Sequence, residues 1–248
     1  MSTSGPSSGF VDLHAHYLAG VDDGAPDFET TREMVDAVVN LGFSHLYATP
    51  HQREGLYLPS RQAIGGAFQQ LSDAAAGQTR FELGLGAENF WDGTFLGRLQ
   101  TQQIPCYDGG PAFLFEVPPP VMPAGLETTL FEIRLAGKLP VMAHPERYHA
   151  VQAQLERAQA LGQTAALVVD LAALDGAHGR AEMKAARELL NQGLAHAVAT
   201  DIHGPQDIAG IAAGMAWIRK HLGAAALQTL LADNPRRIIA GDLPERNR

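Results

Sequence analysis

Short apolar runs and helical periodicities alternate along the chain. Continuous apolar stretches fall at 10–13, 45–48, 81–86, 112–117, 140–143, 165–169 and 195–199. Runs of this length without polar alternation read as strands buried on both faces. Between them lie segments with a 3.6-residue period. In "DFETTREMVDAVVNLG", Met34, Val35, Val38 and Val39 share one face, with Asp27 placed to cap the start and Gly42 to end the helix. In "RQAIGGAFQQL", Ile64, Ala67, Phe68 and Leu71 recur at helical spacing despite Gly65 and Gly66. "GLETTLFEIRLAGKL", "VQAQLERAQALGQ", "RAEMKAARELLNQG" and "IAAGMAWIRKHLG" read likewise, and 89–111 is expected to hold one short helix and a loop. Strands alternating with helices imply an α/β fold with a parallel sheet. Seven such units predict a TIM-like barrel related to the (β/α)8 fold, with a doubly wound open sheet as the rival.

Composition narrows this frame. The chain has 248 residues, 46% of them hydrophobic, enough for one large domain, expected over 10–248. The polar stretch "MSTSGPSSG" lacks the charged and apolar regions of a signal peptide, so residues 1–9 are expected to be a disordered arm. No apolar run is long enough to cross a membrane. One cysteine, Cys106, cannot build a disulfide framework, and a cytoplasmic address is the simplest reading. The net charge of −9 argues against a nucleic-acid surface and leaves room for divalent cations.

The polar residues follow the strands. After the first come Asp12, His14 and His16, then Asp22 and Asp23; after the second, His51 in "ATPH". Glu88 follows the third in "GAE", Glu116 ends the fourth in "FEVP", and His144 ends the fifth in "AHPER". Asp170 ends the sixth; Asp201 and His203 end the seventh in "TDIH". Active sites of parallel α/β barrels lie at that end of the strands. Each residue alone has an ordinary explanation as turn or cap, and for Asp22, Asp170 and His45 that explanation is preferred. The recurrence at one end of successive strands is not explained that way. Histidine with carboxylates and no cysteine is a nitrogen and oxygen donor set, suited to Mn, Fe or Zn. His14 and His16, two apart on a strand, share a face. There are more donors than one ion uses, so two or three ions are implied, and hydrolysis is the expected reaction class.

Other chemistries lack their residues. There is no GxxxxGK[ST] loop, no GxSxG elbow, and "ELGLGAE" misses the third glycine of a dinucleotide fingerprint. A cysteine phosphatase needs an arginine six residues after its thiolate, and residue 112 is alanine; Cys106 is expected to be a small buried or semi-buried residue.

In their order, "DLHAH", "DDG", "ATPH", "GAE", "FEVP", "AHPER" and "TDIH" resemble the polymerase and histidinol phosphatase (PHP) family. More narrowly they resemble its branch of protein-tyrosine phosphatases from bacterial capsule and exopolysaccharide loci. The likeness runs from about Phe10 to "DNPRRIIAGD". It implies a distorted (β/α)7 barrel with a cluster of usually three divalent ions, often manganese. Carried over, His14, His16, Glu88 and Asp201 would hold one ion. Glu88 would bridge to a second with Glu116 and His144, and Asp23, His51 and His203 would hold the third. Asp12 would orient a ligand histidine or a loop, and Arg147 would bind the substrate phosphate. His203 and Asp12 join Arg147 as catalytic candidates. The implied substrate is a phosphotyrosine protein, a cognate bacterial tyrosine kinase. Two positions depart from the pattern. The arginine expected after the last D-x-H is absent, leaving Arg53 or Arg180 as substitutes, and Asp170 stands where the family often has Asn. Alternatives are a phosphatase of a small metabolite, an amidohydrolase-like hydrolase, and a binding module with a dead site.

Overall fold

The computed structural model describes residues 9–245. The expected disordered arm lies, except for Gly9, outside the described residues.

Among the described residues nine parallel-paired strands form: β1 (Phe10–Asp12), β2 (Phe43–Ala48), β3 (His51–Gln52), β4 (Glu82–Leu85), β5 (Glu88–Phe90), β6 (Ala112–Glu116), β7 (Leu139–Ala143), β8 (Ala166–Asp170) and β9 (Ala197–Ala199). They make two sheets, β1-β2-β4 and β3-β5-β6-β7-β8-β9, and every pairing within them is parallel. The seven apolar runs each overlap a strand. The two strands not expected, β3 and β5, are short and open on polar residues, so no apolar run announces them. Both continue a preceding strand after a two-residue break: Thr49–Pro50 behind β2, and Gly86–Ala87 behind β4.

Strand residues alternate between two apolar clusters. Leu114, Val141, Ala143, Ala166, Val168, Ala197 and Ala199 point to one side. Phe113, Phe115, Met142, Leu167, Val169 and Val198 point to the other, against the helices. Both faces are therefore buried, which is why the strands read as unbroken apolar runs.

Helices fill the connections. Helix α1 (Phe28–Asn40) is capped by Asp27, whose Oδ1 accepts the Thr30 N–H at 2.9 Å. α2 spans Arg61–Ala74, α3 Gly93–Gln100 and α4 Leu126–Leu135. The single helix expected over "VQAQLERAQALGQ" is two, α5 (His149–Ala153) and α6 (Glu156–Leu161), because Gln154 between them is extended. α7 spans Arg180–Asn191 and α8 Ile208–His221. The C-terminal stretch runs α9 (Ala224–Gln228), a π-wound turn Thr229–Asp233, and α10 (Asn234–Ile239). Among the described residues no helix is long and apolar enough to cross a membrane.

Two contacts tie the first strand to the last. Ala15 and Ile202 form a parallel bridge, with His16 N donating to Ile202 O at 3.0 Å and Asp201 N to His14 O at 2.8 Å. Below them, the fully buried Asp12 accepts from Thr200 N at 3.0 Å and from Thr200 Oγ1 at 2.7 Å. This seam sets "DLHAH" beside "TDIH".

Candidate metal centre

Register brings the polar residues together. In the β3–β5 pair His51 lies opposite Glu88, and in β5–β6 Phe90 lies opposite Glu116. β7 ends one residue before His144 and β9 two before Asp201, and both residues take left-handed backbone, with φ of 52° and 49°. Left-handed backbone in a non-glycine residue costs on the order of 1–3 kcal/mol and persists where the surroundings impose it.

Glu88 is the hub. Its carboxylate lies 3.3 Å from His14 Nε2, 3.5 Å from His16 Nε2, 2.8 Å from His51 Nδ1 and 3.1 Å from His144 Nε2. Asp201 Oδ1 lies 3.3 Å from His14 Nε2 and 3.5 Å from His16 Nε2. On the outer side, Asp23 Oδ1 lies 3.3 Å from His51 Nε2 and 3.5 Å from His203 Nε2. His203 stacks on His16 with ring centroids 4.1 Å apart. Glu116 reaches 3.8 Å from His51 Nδ1 and shares a donor group with His51 and Glu88.

These donors fit divalent ions better than they fit one another. His51 Nδ1 and Glu88 Oε2 approach to 2.8 Å, yet neither, nor Asp201 Oδ1, makes an aligned hydrogen bond, although all are buried. His14 and His16 turn their Nε2 atoms together at 3.3 Å. Buried polar atoms are ordinarily bonded, and nitrogen and oxygen donors converging without aligned hydrogen bonds among them are what a cation satisfies.

Charge is correspondingly crowded. Burial alone would raise Glu88, but the His14 and His51 charges hold it well below the usual carboxylate range. Burial and the Glu88 charge push Glu116 up to about 8. Burial would lower His51, but Glu88 and Asp23 outweigh it and hold it at about 11. His144 is pushed down to about 4 by burial and by Arg147.

Asp22 adds to its expected turn a contact with a candidate ligand histidine, one of the two parts expected of Asp12. Asp12 meets no imidazole among the described interactions; it accepts from Tyr17 Oη at 2.5 Å and from Thr200, and so braces the segment that leads to Asp201 and His203, the loop-holding part expected of it. Asp22, read as part of a turn, accepts from or pairs with His16 Nδ1 at 2.7 Å and accepts the His51 N–H at 3.0 Å. The sign of this was the carboxylate six residues after His16 within a glycine-flanked loop. Gly24 permits that loop, since a Cβ there would sit 2.2 Å from His16 O.

Asp170 is likewise more than a cap. Oδ1 accepts the Ala172 N–H at 2.8 Å, while Oδ2 meets His178 Nε2 in a short contact and Arg147 Nη2 at 3.1 Å. Arg147 Nη2 also reaches Asp201 Oδ2 at 2.7 Å and His178 Nε2 at 3.2 Å. Arg53 lies over the Phe90 ring, 4.1 Å from its centroid, and its charge acts on Glu116. Arg180 begins α7 and has no contact with the cluster among the described interactions. His45 pairs with Glu82 at 3.3 Å, away from the centre, and Cys106 is buried beside Lys138, with Nζ 3.6 Å from its sulfur.

Known proteins are similar to this chain in sequence and fold. A tyrosine-protein phosphatase CpsB of Streptococcus pneumoniae is 28% identical over 242 residues, covering 94% of this chain and 99% of its own. A tyrosine-protein phosphatase YwqE of Bacillus subtilis is 29% identical over 195 residues, 78% of this chain and 77% of its own. A structure solved among the metal-dependent tyrosine phosphatases YwqE of Bacillus subtilis and CpsB of Streptococcus pneumoniae superposes with a TM-score of 0.84. It covers 96% of this chain and 97% of that one at 25% identity. The family model for capsular polysaccharide synthesis proteins CpsB/CapC matches residues 10–240, and the chain belongs to that family.

Proposed function

We propose that this chain is a metal-dependent phosphoester hydrolase of the protein-tyrosine phosphatase type, acting on a phosphotyrosyl protein of capsule or exopolysaccharide assembly. The observation that carries the reading is Glu88, with four imidazoles within 3.5 Å of one buried carboxylate. The CpsB and YwqE relatives support the substrate class, and a tyrosine kinase of the same locus is the partner proposed.

His14, His16, Glu88 and Asp201 would hold one ion, Glu88 with Glu116 and His144 a second, and Asp23, His51 and His203 a third. The closeness of His51 to Glu88 and Glu116 would let His51 serve as a shared donor. Manganese is the metal proposed, with iron or zinc as substitutes, because the donors are nitrogen and oxygen alone. Such ions, when bound, activate a water at neutral pH and neutralise charge on the phosphoryl oxygens. The chain's own groups do the rest. Asp22 fixes the His16 ring through Nδ1 and so aims Nε2 inward. Arg147 uses Nη2 on the two aspartates, which leaves Nη1 for phosphoryl oxygens. Arg53 is a further basic group near Glu116.

The Ala15–Ile202 bridge, added to the two parallel sheets, supports a closed, distorted (β/α)7 barrel formed as one domain from residue 10 onward. A compartment that keeps Cys106 reduced, the cytoplasm, is the address proposed. The test is metal content by mass spectrometry, with turnover of a phosphotyrosyl peptide before and after chelation. Bound metal and chelator-sensitive turnover are expected; a metal-free protein without turnover in the presence of added Mn, Fe and Zn would sink the reading.

A further inference from the structure

Outside the donor cluster, one imidazole stands against a buried carboxylate at the edge of the centre. His178 lies in the loop between β8 and α7, and its side chain is 35% exposed. Its Nε2 meets Asp170 Oδ2 in a short contact, and Asp170 is 1% exposed at that side chain. Asp170 is itself fixed: Oδ1 accepts the Ala172 N–H at 2.8 Å, and Glu146 Oε1 accepts the Asp170 N–H at 3.3 Å. His178 Nε2 is also 3.2 Å from Arg147 Nη2, which is 2.7 Å from Asp201 Oδ2. The ring therefore shares Asp170 with Arg147, whose Nη2 reaches Asp201 of the donor cluster, and it is itself partly exposed.

A carboxylate bonded to one ring nitrogen fixes the tautomer and orientation of an imidazole that exchanges protons through the other. Here Nε2–H donates to Asp170, so proton exchange falls to Nδ1, which makes no hydrogen bond among those of the described residues. In an in-line displacement the attacking and departing oxygens lie on opposite sides of phosphorus, and His178, partly exposed beside Arg147, is the imidazole outside the cluster that can serve the departing one. The imidazoles of His14, His16, His51, His144 and His203 are engaged in the cluster.

We propose that His178, oriented by Asp170, is the proton donor to the departing tyrosyl oxygen. The inference rests on the phosphatase reading. The bond between phosphorus and the phenolic oxygen breaks, its electron pair stays on that oxygen, and the oxygen takes the proton from His178 Nδ1. A water oxygen forms the new bond to phosphorus. The proton that water gives up returns through solvent to His178, which keeps its Nε2–H on Asp170 throughout. A proton donor matters in proportion to how poor the leaving group is, which separates this role from bracing Arg147.

The experiment compares wild type, His178→Ala, His178→Gln and Asp170→Asn, as full chains loaded with Mn. Substrates are a phosphotyrosyl peptide and a series of aryl phosphates ending at p-nitrophenyl phosphate. Loss of a general acid costs about 10²-fold or more in kcat. We expect both His178 variants to lose about that on the phosphotyrosyl peptide and only a few-fold on p-nitrophenyl phosphate, with a steeper dependence on leaving-group acidity. Asp170→Asn should shift the same way by a smaller factor. Metal content should match wild type in all three. Equal losses across the series, or no loss, would overturn the proposal. Wild type inactive on every phosphate ester would instead overturn the phosphatase reading, and this proposal with it.

Discussion

Asp22 and Asp23 are neighbours in the chain with different tasks. Asp22 spends one oxygen on His16 Nδ1 and His51 N and the other on Gly24 N, 3.1 Å away. Asp23 is 41% exposed at its side chain and faces His51 and His203. Burial would raise it, but hydrogen bonds from those two imidazoles hold it well below the usual carboxylate range. Loss of a carboxylate that orients a ligand histidine costs about 10–100-fold in metal affinity. Asp22→Asn should therefore fold and weaken metal binding by that factor in a competition titration with a chromogenic chelator; wild-type affinity would remove Asp22 from the site. Protonation adds a second expectation. In the metal-free chain His51 is held at about 11 and His16 at about 9, so both are protonated at neutral pH. An ion must displace those protons, so its affinity rises with pH. Calorimetry in two buffers of different ionisation enthalpy should report proton release on Mn uptake, and an absence of release would contradict the ligand assignment of His16 and His51.

Among the elements, two glycines separate stability from site assembly. At Gly214 in α8 a Cβ would lie 2.0 Å from Leu171 O, so the helix packs backbone to backbone on the turn after β8. Overpacking of this kind costs about 1–3 kcal/mol. Gly214→Ala should lower the melting temperature by several degrees and leave metal stoichiometry intact. Gly24→Ala meets His16 instead, and should reduce metal content with a smaller effect on melting. A reversed pattern, melting lost at Gly24 and metal at Gly214, would show that the loop and the helix have been assigned the wrong work. The same scale explains what the sequence revealed. Runs such as Phe113–Leu114–Phe115 announce strands because both faces are buried, and Asp27 announces a helix start because its cap is local. β3 and β5 were hidden because two or three residues carry no period, although they hold His51 and Glu88. Residue type at strand ends was enough to nominate the cluster. It could not divide labour among Asp12, Asp22 and Asp170, whose partners Thr200, His51 and His178 come from other parts of the chain.

At the scale of the whole molecule, the centre is a concentration of buried charge in a chain of net charge −9. A ligand present at a hundredfold its Kd stabilises the state that binds it by about 2.7 kcal/mol per site. Chelation should therefore lower the melting temperature by several degrees, and readdition of Mn should restore it. An unchanged melting curve would mean that the cluster binds no ion tightly.

The seam between β1 and β9 has a consequence for biosynthesis. A ribosome that has translated residues 1–190 has already made His14, His16, His51, Glu88, Glu116 and His144, but neither Thr200, Asp201 nor His203. Until β9 emerges, Asp12 lacks the Thr200 contacts that settle its buried carboxylate, and "DLHAH" has no "TDIH" beside it. Chains made only that far thus carry most of the donor side chains without the contacts that seat "DLHAH", so the complete cluster waits on the synthesis of residues 200–203.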